Sequence, residues 1–276
     1  MPEPYQPNPE LHDDYRCFVL DSGINGNQAL YLTDYLVVPG NDQLVHHVVA
    51  YQVTSEEARM EAIQNDQDEA GPGYSCFGGA GVQGVRMVMN WAPGTASVSH
   101  PKGTGIRLDP ELPLVFQVHY HIMGGNTGYD QTSIKMKMAE KVANEITPTF
   151  LTPLKPLVIP PKQERWVHEG QASLQHVYGE NQPLKIMGVR AHMHKLGSEM
   201  HLSVKTKQAE ECLADIPKYD FNWQTSYFLE NPVRISSSDP ISIRCVYNSM
   251  SKNTSTYWGE GTDDEMCLAT IYTIKE

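Results

Sequence analysis

The eleven histidines of the chain are clustered rather than spread. His46 and His47 are adjacent in an apolar run, His119 and His121 bracket Tyr120 at the end of another, and His192 and His194 bracket Met193 at the end of a third. Imidazole nitrogen suits zinc, copper, iron and nickel, so three such groups point to metal chemistry. In a strand, residues i and i+2 share a face. His192 and His194 therefore converge on one ion, provided the strand runs to residue 194. His119 and His121 are presented in the same way, and either could be the ligand. His46 and His47 would face opposite sides of a regular strand, and both reach one ion only if the backbone is distorted there, as at a bulge. Met266 follows an acidic turn, Asp263-Asp264-Glu265, and begins an apolar run. Alone, such a methionine fills core space. Beside a His-x-His pair it can act as a thioether ligand, and two imidazoles with one thioether favour copper, above all Cu(I).

These residues lie on short segments. The runs at 29–38, 44–53, 114–121, 134–138, 184–192, 200–204, 241–247 and 266–274 are rich in Val, Ile, Tyr and Phe and bounded by turn residues, the pattern of strands. The best helix candidate is 55–62, with Thr54 or Ser55 as its N-cap. Most of the chain reads as antiparallel β, in sandwiches or jelly rolls. Prolines crowd residues 148–161 at a density that no central strand tolerates, which suggests a stiff connection between two halves.

The length of 276 residues allows one large domain or two ordinary ones. With 40% hydrophobic and 20% charged residues the chain is globular rather than disordered. A net charge of -12 argues against a general nucleic-acid binder and against docking on an anionic membrane. It could draw in cationic substrates, or simply keep an acidic surface soluble. No apolar run approaches the ~20 residues of a membrane helix. The start, Met1-Pro2-Glu3-Pro4, does not read as a signal peptide, so the sequence suggests either a cytosolic protein or one whose leader has been removed. Of the five cysteines none forms a C-x-x-C pair. They are either buried small hydrophobes or two disulfides with a spare thiol.

Four segments together are specific. Val45-His46-His47, Gln117-Val118-His119-Tyr120, Arg190-Ala191-His192-Met193-His194 and Asp264-Glu265-Met266-Cys267 occur in an order and at separations that resemble the type II copper, ascorbate-dependent monooxygenases, peptidylglycine- and dopamine-hydroxylating enzymes among them. Pro101-Lys102-Gly103-Thr104-Gly105 and Val158-Ile159-Pro160-Pro161 also look like family stretches. The resemblance implies an all-β chain of two tandem antiparallel β-sandwich, jelly-roll-like domains, 1–145 and 146–276, with a copper site on each, facing across a cleft. It implies that His46, His47 and His119 bind an electron-transfer copper. His192, His194 and Met266 would bind the copper at which oxygen is activated, and would be the catalytic set. Two coppers per chain, molecular oxygen and ascorbate as reductant are then expected, with a small-molecule or peptide substrate. His121 and Gln117 would support the first ligand set from outside it. The family also implies disulfides Cys17–Cys76 and Cys245–Cys267, which leave Cys212 free and suggest a secreted, periplasmic or secretory-vesicle setting.

One region departs from the family. Arg190 stands where the peptide-hydroxylating enzyme holds a substrate carboxylate, but Leu268 and Thr270 replace the Asn and Tyr that complete that clamp. A buried carboxylate needs paired donors, so C-terminal glycine peptides fit poorly, and Arg190 could equally be a structural residue of its strand. The expected function is hydroxylation of a substrate C–H. The alternatives are a non-enzymatic copper protein for storage, delivery or sensing on the same scaffold, and a zinc or iron enzyme on a β-sandwich.

Overall fold

Short alternating runs become strands because one face is buried while each backbone N–H and C=O needs a lateral partner. The structure, a computed structural model, describes residues 1–24, 26–122 and 128–276. The chain divides into two compact units, Met1–Glu145 and Ile146–Glu276.

The first unit holds strands β1 (Asp13–Leu20), β2 (Leu30–Val38) and β3 (Val45–Val53), helix α1 (Glu56–Asp68), then β4 (Tyr74–Ser75), β5 (Val85–Trp91), β6 (Val98–Ser99), β7 (Thr104–Leu108), β8 (Leu114–His121), β9 (Ser133–Ala139) and β10 (Asn144–Glu145). One sheet has the order β4-β1-β8-β3-β5. Its middle strand β8 is buried on both faces from Leu114 to Tyr120, and so reads as a continuous apolar run. The other sheet runs β10-β7-β2-β6, with β9 also on β2. Helix α1 begins where the Ser55 side chain accepts the Ala58 N–H, and Glu56 and Glu57 complement the positive end of the helix dipole. At its far end Arg16 of β1 donates to the Glu69 carboxylate at 2.6 Å and to the carbonyls of Pro72 at 2.9 Å and Gly73 at 2.6 Å. That guanidinium fixes the turn leading to β4 and Cys76.

The second unit holds β11 (Thr147–Leu151), β12 (Val158–Ile159), β13 (Trp166–Ala172), the short helix α2 (Gln175–Tyr178), β14 (Pro183–His192), β15 (Gly197–Lys205), β16 (Glu210–Ile216), β17 (Ser226–Ser236), β18 (Ile241–Tyr247), β19 (Thr256–Tyr257) and β20 (Leu268–Lys275). Its sheets are β11-β20-β14-β17 and β13-β18-β15-β16, with a β12-β19 ribbon. Ile186, Val189, Leu202, Ile243 and Ile271 belong to one core that draws on both sheets. Each such side chain contributes roughly 1.5–3 kcal/mol by leaving water.

This corrects the expected architecture. The described strands form four separate principal sheets of four or five strands, the sheet count of a four-bladed β-propeller, and not the two tandem antiparallel β-sandwich, jelly-roll-like domains expected. The first unit is not wholly antiparallel either, since β10 and β7 pair in parallel. Alternation identifies a strand and its buried face. It does not say which strand lies beside it, and pairings such as β1 with β8 join distant stretches. The proline-rich stretch also differs from the stiff connection expected. Pro148 lies in β11 at a sheet edge, where proline is tolerated, and Val158–Ile159 pairs with β19 in the ribbon.

Candidate metal centre

Strand β3 pairs antiparallel with β8, and the register shifts between Val45 and His47. Val45 lies opposite Tyr120 and His47 opposite His119, so His46 is the extra residue of a bulge. That distortion turns two adjacent imidazoles to one side. The Nδ1 atoms of His46 and His47 are 3.3 Å apart, and each is 3.2 Å from Nδ1 of His119. A point equidistant from the three lies at the mean edge over the square root of three, about 1.9 Å from each, close to the ~2.0 Å of a metal–imidazole bond. The donor set therefore fits one ion, and it forms a group of three possible ligands among the described residues.

The surroundings hold the third imidazole firmly. His119 is 1% exposed, and its Nε2 donates to Asp13 Oδ1 at 2.8 Å. Tyr15 stacks on the ring at 4.0 Å with planes 9° apart. Burial holds the His119 imidazole below its ordinary pKa, against the pull of Asp13. His121 also donates from Nδ1 to Asp13 Oδ1, at 3.0 Å. Its ring centre is 6.2 Å from that of His46, and it stands outside the triangle. Gln117 donates to the carbonyls of Cys76 at 2.9 Å and Gly79 at 2.6 Å, bracing the loop beside the Cys17–Cys76 disulfide.

A second group lies in the other unit. Strand β14 ends at His192, so His194 is brought beside it by other means than strand alternation. Tyr219 accepts the Met193 N–H at 2.9 Å and donates to the Met193 carbonyl at 2.7 Å. Glu265, with no exposure, accepts the N–H groups of His194, Leu196 and Met266 at 2.9, 2.5 and 3.2 Å. One carboxylate thus ties the backbones of His194 and Met266 together. Burial pushes Glu265 up to about 7, with the backbone bonds opposing. The rings of His192 and His194 are 5.2 Å apart. His192 Nδ1 meets Gln224 Oε1 at 2.6 Å and His194 Nδ1 meets the Asp264 carbonyl at 3.1 Å. Both acceptors call for a proton on Nδ1, which leaves each Nε2 unprotonated and available as a donor atom. Met266 is 5% exposed and precedes β20 rather than beginning it.

The second unit matches the sequence model of the copper type II ascorbate-dependent monooxygenase C-terminal domain over residues 146–274. Dog dopamine beta-hydroxylase is 26% identical over 86% of this chain and 39% of its own length. Tyramine beta-hydroxylase of Caenorhabditis briggsae is 21% identical over 96% of this chain and 46% of its own. Peptidyl-glycine alpha-amidating monooxygenase A of Xenopus laevis is 26% identical over 70% of this chain and 20% of its own. The second unit belongs to the copper type II ascorbate-dependent monooxygenase family, and these relatives extend the likeness across the first. The chain spans less than half the length of these three curated relatives.

Other residues singled out from the sequence are placed as follows. Cys17 and Cys76 are bonded, as are Cys245 and Cys267, and Cys212 is an exposed free thiol. Two disulfides are consistent with an oxidising, extracytoplasmic setting. Arg190 is buried on β14, in register with Thr270 of β20 and Ser226 of β17. Among the described residues no helix is long and apolar enough to cross a membrane. Sequence reasoning missed Asp13, Gln224 and Tyr219, whose roles arise only through distant pairing. Glu265 was in view but read as part of an acidic turn.

Proposed function

We propose that this chain hydroxylates a C–H bond of a small-molecule or peptide substrate with molecular oxygen, using two coppers and ascorbate. The reaction consumes one O2, two electrons and two protons, places one oxygen in the product and releases the other as water. Copper would supply the one-electron redox steps that zinc cannot. The observation that carries the reading is the triangle of three Nδ1 atoms 3.2–3.3 Å apart.

His46, His47 and His119 would hold the electron-transfer copper. His192 and His194, through Nε2, and the Met266 thioether would hold the copper at which oxygen is activated. Thioether and imidazole together stabilise Cu(I). Gln224 and the Asp264 carbonyl orient the two imidazoles, and Glu265 keeps His194 and Met266 together in the metal-free chain. Arg190 is the candidate contact for an anionic group of the substrate. Leu268 and Thr270 leave that contact without the fuller clamp of a peptide carboxylate site, which favours a substrate other than a C-terminal glycine peptide. An oxidising compartment, secreted, periplasmic or vesicular, would preserve both disulfides.

The test is ascorbate-driven oxygen uptake over a panel of peptides, phenethylamines and small aromatics, with product masses checked for one added oxygen and copper counted per chain. Two coppers and a hydroxylated product are expected. Tight copper binding with no coupled uptake across the panel would favour the non-enzymatic reading that the altered residues 268 and 270 suggest. Zinc or iron in place of copper would end both.

A further inference from the structure

We propose that Asp13 is the positioning residue of the first metal centre, selecting the tautomer in which His119 offers Nδ1 to the ion. The proposal rests on reading His46, His47 and His119 as a copper site. Strand β1 pairs with β8 so that Asp13 lies opposite His121 and Tyr15 opposite His119. One carboxylate oxygen of Asp13 meets His119 Nε2 at 2.8 Å and His121 Nδ1 at 3.0 Å. A carboxylate only accepts, so both ring nitrogens must donate. A neutral His119 that carries its proton on Nε2 has a bare Nδ1, and this is the atom 3.2 Å from both other ligand nitrogens. The opposite tautomer would put a proton among the three ligands and exclude the ion. Tyr15, two residues along the same strand, stacks on the same ring at 4.0 Å. Asp13 thus selects the tautomer and Tyr15 fixes the ring plane. A carboxylate behind a ligating imidazole also raises its basicity and favours the more highly charged metal ion.

The experiment uses the full chain with His192→Ala and His194→Ala, so that copper reports on the first centre alone. Cu(I) and Cu(II) affinities are measured by chelator competition, alongside the Cu(II) electron paramagnetic resonance spectrum, with and without Asp13→Asn. The expected result is a 10–100-fold loss of affinity, as for other residues that orient metal ligands. The loss should be greater for Cu(II), a tenfold excess raising the reduction potential by about 59 mV. The hyperfine splitting should change, and the metal-free thermal midpoint should not. Affinity within twofold of the parent and an unchanged spectrum would overturn the proposal while leaving the copper site standing. A parent that binds no copper would overturn both. Should Asp13→Asn fail to fold, nitrogen-15 spectra of the metal-free unsubstituted chain decide. A proton on His119 Nε2 supports the proposal, and a proton on Nδ1 overturns it.

Discussion

Glu265 shows how much one side chain can organise when its charge has nowhere else to go. It is wholly buried and takes three backbone N–H groups from two separate stretches of chain. Glu265→Gln keeps the shape but turns amide hydrogens toward at least one of those donors. The expected cost is about 1–3 kcal/mol of stability, read from urea unfolding of the metal-free chain. The ligand residues have separable roles under the proposed function. Met266→Ile should nearly abolish ascorbate-driven turnover while the copper held by His46, His47 and His119 remains, as metal analysis of the purified variant would show. His47→Ala should empty that first centre and starve turnover of electrons, with the second copper retained. Wild-type turnover in Met266→Ile would remove the thioether from the proposed site.

At the scale of elements, the capping of α1 and the disulfide near β20 can each be tested directly. Ser55→Ala removes the acceptor for the Ala58 N–H and should cost about 1 kcal/mol, measured by thermal unfolding. Replacing Cys245 and Cys267 together by Ala should cost roughly 2–4 kcal/mol, because the bridge ties β18 to the residue just before β20. Much of this layer was legible in the sequence. The runs 114–121 and 241–247 have the bounds of β8 and β18. The helix read at 55–62 runs on to Asp68; it buries only Ala58 and Ala62, so no apolar period marks the extension, along which Gln64 donates to Asp68. The bulge at His46 was stated as a condition for adjacent histidines to share an ion, and the register shift meets it. The condition that the strand reach residue 194 fails, and Tyr219 and Glu265 supply what alternation does not. Neither could be read from spacing, since each acts across a fold that local pattern does not encode.

For the molecule as a whole, acid is the simplest probe of what folding conceals. His100 in the first unit and His168 in the second are buried, and desolvation holds both imidazoles below their ordinary value. In the unfolded chain each takes up a proton near pH ~6.5. Between that pH and the lowered folded-state values the unfolded chain binds more protons, so their contribution is complete above about 6.5 and is lost as pH falls. His100→Gln should flatten this loss, measured as the difference in urea midpoint between variant and parent across the acid range. The sheet arrangement was the least legible property at this scale, because the apolar run along β1 or β8 carries no mark of which strand will lie beside it. Strand β1 shows the other side of that economy. Within five residues it supplies the Asp13 carboxylate, the Tyr15 ring on His119, the Arg16 guanidinium at the turn after α1 and the Cys17 half of a disulfide. Four unrelated constraints fall on one short stretch, so saturation mutagenesis should find there the narrowest tolerance of the first unit, and a drifting lineage should change those positions last.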